Sequence, residues 1–137
     1  MTARVTSYIT DDLIQKAATS AEGTIECKFV CLRKADELHM ILGPVSLFPY
    51  HANLLERFSD EQGIATSWVQ LPDVLEVLDR DIKTRGGGLL EYDCRREAVK
   101  IHGFSRAYGP FAPEEVDGVV ASDDFFRSRK VTVRKSL

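Results

Sequence analysis

The sequence predicts an α+β fold, one domain in which a mixed β-sheet is flanked by helices, and three observations support that. Alternating apolar runs at Thr24–Arg33, Glu37–Leu42, Leu89–Cys94 and Ala98–Phe104 have the period of strands. Segments with helical spacing fall between and after them. The chain has 137 residues without repeats, linkers or low-complexity tracts, long enough to bury a core without staples. A single domain over residues 1–137 is expected, with residues 1–22 as a loosely attached N-terminal extension.

Taken in order, Thr10-Asp11-Asp12 suits the cap of a short helix with Leu13, Ile14, Ala17 and Ala18 on one side. The strand over 24–33 sets Ile25, Cys27, Phe29 and Cys31 on one face, and Glu26, Lys28, Val30 and Leu32 on the other. Glu37 to Leu42 pairs with it as an antiparallel partner, and Gly43-Pro44 breaks the strand. A helix follows, with Ser46 as its expected N-cap and Pro49 in its first turn. His51, Leu54, Leu55 and Phe58 then share one face, and Gln62-Gly63 ends the helix. Ile64–Val69 reads as a short strand, and Pro72-Asp73 with Val74, Leu75, Val77 and Leu78 as a short helix. Leu89–Cys94 and Ala98–Phe104 form a hairpin over Arg95-Arg96-Glu97. Pro113-Glu114-Glu115 opens a last helix, and Lys130–Val133 is a closing strand.

Composition narrows the function classes. A hydrophobic content of 44% with 28% charged residues is that of an ordinary globular domain. The net charge of -3 argues against a nucleic-acid partner, which selects a basic face. No apolar run approaches membrane-spanning length and no secretory leader is readable, so no membrane partner and a cytoplasmic location are expected. Three cysteines, Cys27, Cys31 and Cys94, read as reduced thiols, the first two as small core hydrophobes. No clustered His/Cys pattern is present, so neither metal nor cofactor is expected.

The chemistry-bearing stretch runs from Arg85-Gly86-Gly87-Gly88 to Ser105-Arg106-Ala107-Tyr108-Gly109-Pro110. Three adjacent glycines mark either a bulge or a place where something approaches the backbone closely. A hydroxyl, a guanidinium and amides at a strand end suit an oxyanion. His51, near a helix N-terminus, sits in positive potential that favours the neutral ring. Lys28 lies mid-strand beside Val30 and Leu32, where a lysine either snorkels or faces an anion. His39 and His102 read as packing or surface histidines. The glycines form neither a P-loop nor a dinucleotide fingerprint.

Tyr50-His51-Ala52-Asn53, Gly86-Gly87-Gly88 and Gly103-Phe104-Ser105-Arg106-Ala107-Tyr108-Gly109-Pro110 together resemble the Janus family, which includes the small phosphohistidine phosphatases. Cys27-Lys28-Phe29-Val30-Cys31-Leu32-Arg33 is similar to that family's lysine-bearing strand. The resemblance implies a metal-independent phosphatase that hydrolyses the P–N bond of phosphorylated histidine. It implies His51 as catalytic histidine, and Lys28, Ala52, Ser105, Arg106 and Ala107 around the phosphoryl group. The implied partners are a phosphohistidine-containing protein or peptide and inorganic phosphate, and a monomer is expected. Leu89 stands where the family carries arginine, and Asn53 where it carries Asp. Arg85 and Arg106 are the residues expected to restore positive charge. An insertion falls around residues 64–80. The alternative is a non-catalytic member of the same family that binds phosphate or phosphoproteins.

Overall fold

A computed structural model describes residues 2–134. The chain order is β1 (Thr2–Ser7), α1 (Asp11–Thr19), β2 (Thr24–Lys34), β3 (Glu37–Pro44), α2 (His51–Gln62), β4 (Thr66–Gln70) and β5 (Val74–Val77). It continues with β6 (Ile82–Asp93), β7 (Ala98–His102), α3 (Pro113–Ser122), α4 (Asp124–Arg127) and β8 (Lys130–Val133). Six strands form one mixed sheet in the order β1-β3-β2-β6-β7-β8, while β4 and β5 pair only with each other. The pairs β1–β3 and β7–β8 are parallel and the inner pairs antiparallel. The α+β architecture with a helix-flanked mixed sheet is as the sequence predicts.

The alternation within β2 explains why both faces of the sheet are covered. Cys27, Phe29 and Cys31 enter one apolar cluster with Ala17 of α1, Val116 and Val119 of α3, and Phe126 of α4. Val30 and Leu32 enter a second cluster with Leu54, Leu55 and Phe58 of α2 and Leu75 of β5. A strand that is apolar on both faces has to be central, because each face then requires its own cover. Among the described residues no helix is long and apolar enough to cross a membrane.

Four expectations are corrected. Residues 2–22 are not loosely attached: β1 pairs with β3 from Thr2 to Ser7, and the Val5 amide donates to Asp123 Oδ2 at 2.9 Å. The helix expected from Ser46 starts at His51 instead. The Leu47 and Phe48 amides turn back onto the Pro44 carbonyl, and Pro49 disfavours helical geometry in the residue before it. The helix expected over 74–78 is strand β5: pairing with β4 sets Leu75 in the core and packs Val77 partly against it. The strand expected over 89–94 begins earlier, so that the glycines lie in the middle of a continuous twelve-residue β6.

Candidate functional site

His51 is the first residue of α2, with Tyr50 as its N-cap. The Tyr50 amide donates to Asn53 Oδ1 at 2.9 Å, the reverse arm of a capping box. That bond asks only for a carbonyl-type oxygen, so asparagine does the work of the aspartate that the family resemblance leads one to expect. Gly63, with φ of 70°, closes the helix.

The His51 ring is 8% exposed, and its Nε2 lies 2.9 Å from the Gly88 carbonyl oxygen. A carbonyl only accepts, so Nε2 carries the ring proton and Nδ1 keeps the lone pair. Burial lowers the ring's pKa, the Gly88 bond opposes that shift, and the charge of Lys28 adds to it. The folded protein therefore favours the neutral imidazole, with a fixed tautomer.

The glycines make this contact possible. The pairing of β2 with β6 slips between Val30 and Leu32, which leaves a bulge around Arg85-Gly86. Gly86 has φ of 80°, and a Cβ there would fall 2.0 Å from the Pro110 carbonyl oxygen. A Cβ at Gly87 would fall 2.4 Å from the Phe29 carbonyl oxygen and 3.1 Å from the His51 ring. Both sequence readings of the triplet therefore hold, and what approaches the backbone is the protein itself.

A cavity of about 380 Å³ opens beside the ring, lined by Lys28, Tyr50, His51, Asp73, Leu89, Gly103, Phe104, Arg106 and Ala107. Lys28 Nζ donates to the Pro49 carbonyl at 2.5 Å and lies 5.8 Å from the centre of the Tyr50 ring. Its cation is thereby tethered to the segment leading into α2. Among the described residues the Arg106 and Ala107 amides have no acceptor, whereas the Ser105 amide donates to the Gly109 carbonyl at 3.1 Å. A larger cleft of about 550 Å³ lies between β5 and the start of β6. It holds neither His51 nor Lys28, so the smaller cavity is where imidazole and cations meet.

Of the residues singled out in the sequence, Lys28, His51, Arg106 and Ala107 share this cavity; Ala52 and Ser105 do not line it. Ala52 is fully buried in the second apolar cluster. Ser105 is 1% exposed, and its Oγ accepts from the Tyr108 amide at 3.1 Å, so it shapes the loop from beneath. Arg85 does not supply the charge absent at Leu89, because it pairs with Glu115 at 3.2 Å. The glycine triplet supplies the Gly88 carbonyl but no lining residue.

A family model described as the Janus/Ocnus family (Ocnus) matches residues 13–125. The chain belongs to the Janus/Ocnus family. The match includes every residue of the cavity, from Lys28 to Ala107. No curated protein matches the chain.

Sequence reasoning missed two features of this Janus/Ocnus site. Asp73 reaches the cavity from the turn between β4 and β5. Tyr108 holds that hairpin in place: its hydroxyl donates to the Leu75 carbonyl at 2.8 Å and accepts from the Leu75 amide at 3.0 Å. Pro72-Asp73 is a turn-forming pair that suits a hairpin as well as a helix start, but nothing in the sequence sets that turn beside the cavity.

Proposed function

We propose that this Janus/Ocnus chain is a protein phosphohistidine phosphatase, hydrolysing the P–N bond of a phosphorylated histidine in a protein or peptide and releasing inorganic phosphate. The observation that carries the reading is the His51 ring, whose single proton is bound to the Gly88 carbonyl and whose Nδ1 lone pair is free of it. Lys28 and Arg106 in the same cavity suit phosphoryl oxygens, as do the unpaired amides of Arg106 and Ala107. The exposed rings of Tyr50 and Phe104 suit the body of a peptide substrate.

Two routes use the same nitrogen. As a base, Nδ1 takes a proton from water while the water oxygen bonds to phosphorus and the P–N pair leaves on the substrate imidazole, neutral because its other ring nitrogen carries a proton. Nδ1 then returns its proton to solvent. As a nucleophile, Nδ1 bonds to phosphorus, the substrate imidazole departs with a proton, and water then releases phosphate from His51. Fixing the tautomer serves both, since either fails if Nδ1 carries the proton. Three free, buried thiols accord with a cytoplasmic setting, and we take the working unit to be a monomer.

A second reading, a phosphate-binding module without turnover, is favoured by Leu89 in place of the family arginine and by the Ser105 amide being occupied. Phosphate release from a phosphohistidine peptide, compared between wild type and His51→Ala, separates the two. The phosphatase reading expects turnover in wild type and a loss of roughly 100-fold or more in the variant. Equal rates remove His51 from the chemistry. Phosphate binding without turnover in wild type establishes the module.

A further inference from the structure

We propose that Asp73 selects the ligand class of this cavity by accepting a hydrogen bond from an N–H group beside the phosphoryl group, favouring phosphoramidates over phosphate esters. The inference rests on the phosphoryl-site reading above and adds a specificity determinant to it.

A carboxylate in an anion site works against phosphate, since like charges at short range repel. Asp73 nevertheless lines the same cavity as Lys28 and Arg106. Its Oδ1 is shielded from solvent and has no donor among the described residues. A carboxylate oxygen without a donor costs stability, and a ligand N–H that reaches the Asp73 carboxylate removes part of that cost. The ester oxygen of a phosphoserine or phosphotyrosine has no hydrogen and meets the carboxylate lone pair to lone pair. A phosphoramidate carries N–H on the nitrogen bonded to phosphorus, and phosphohistidine can carry it on its other ring nitrogen.

The carboxylate is held where it stands. Leu75, two residues on, is 2% exposed in the second apolar cluster, and both its backbone groups are bound by the Tyr108 hydroxyl. The Asp73 amide closes the turn onto the Gln70 carbonyl at 3.2 Å. Tyr108 belongs to the loop that carries Arg106 and Ala107, so the hairpin and the anion-facing loop move as one piece.

The test uses two non-hydrolysable probes that differ in a single group, aminomethylphosphonate and ethylphosphonate, titrated into the full chain by calorimetry. Wild type is expected to bind the amino probe roughly ten-fold more tightly, the size of one charge-assisted hydrogen bond. Asp73→Asn should lose most of that preference, weakening the amino probe relative to ethylphosphonate. Tyr108→Phe should erode it by loosening the hairpin that carries Asp73. Ethylphosphonate binding with no amino preference in wild type, or a preference that survives Asp73→Asn, overturns the assignment of Asp73 alone. An equal gain for both probes in Asp73→Asn makes the residue only a counter-ion to Arg106 and also overturns it. Failure of wild type to bind either probe overturns the phosphoryl-site reading together with this one.

Discussion

His51 and Gly88 meet across two elements 37 residues apart in sequence, the ring Nε2 donating to the backbone carbonyl at 2.9 Å. Because the acceptor is main chain, no substitution at position 88 removes the oxygen, although a side chain there would collide with the His102 carbonyl at 2.6 Å. The tautomer of the candidate catalytic ring is thus written into the sheet.

Replacing the ring while keeping a donor separates packing from chemistry. His51→Gln retains an N–H able to reach the Gly88 carbonyl, and His51→Ala removes that donor from the buried oxygen. Both variants should lose phosphate release, while thermal denaturation should show Ala less stable than Gln by about 1–3 kcal/mol. Equal stabilities would show that the contact contributes nothing to the fold.

Acidification should destabilise the protein through the same ring. Burial keeps the folded-state pKa of His51 below its ordinary value, so the unfolded chain takes up the proton first. This stabilising contribution is complete above about pH 6.5 and declines from there down to the ring's own lower pKa. Denaturant midpoints measured between about pH 7.5 and 5.5 should fall in wild type and fall less in His51→Gln. Any catalytic limb due to His51 protonation should likewise lie below about pH 6.5.

Gly87→Ala should be costly although the change is one methyl group. Its Cβ would fall 2.4 Å from the Phe29 carbonyl oxygen, which belongs to the central strand and has little room to shift. Overpacking of this kind costs about 1–3 kcal/mol, read as a lowered melting temperature. The His51 ring, 3.1 Å from the same Cβ, should move with it and give a changed imidazole NMR signal.

Lys28→Met keeps most of the aliphatic stem and removes the cation. Phosphate affinity should weaken by roughly ten-fold, with the melting temperature nearly unchanged, because the bond to Pro49 is at the surface. Unaltered phosphate titration would take Lys28 out of the anion site.

The thiols of Cys27 and Cys31 are both pushed up to about 12, chiefly by burial. Neither should react with a thiol reagent at mildly alkaline pH in the folded protein. Their modification should track unfolding, which makes it a convenient probe for the stability comparisons above.

Much of the sheet was legible because β2, β3, β6 and β7 are inner strands whose alternation is enforced by burial. The edge strand β1 was not: Thr2–Ser7 buries no residue fully and owes its place to a parallel partner far along the chain. At β5 the spacing of Val74, Leu75, Val77 and Leu78 satisfies a helix as well as a strand, and only pairing with β4 decides between them. Within the site, the motif residues Lys28, His51, Arg106 and Ala107 lie on one cavity. The occupied Ser105 amide was not legible, because its acceptor, the Gly109 carbonyl, is set by how the loop folds back on itself. Asp73 carries no signal of its own, since a turn aspartate is ordinary until the hairpin is docked.

The β4–β5 hairpin shares no ladder with the six-stranded sheet and hangs chiefly from Leu75 and Tyr108. Its length and tip can therefore drift over generations without disturbing the scaffold beneath. A change in this one flap can alter what enters the cavity while the imidazole and its carbonyl partner stay fixed.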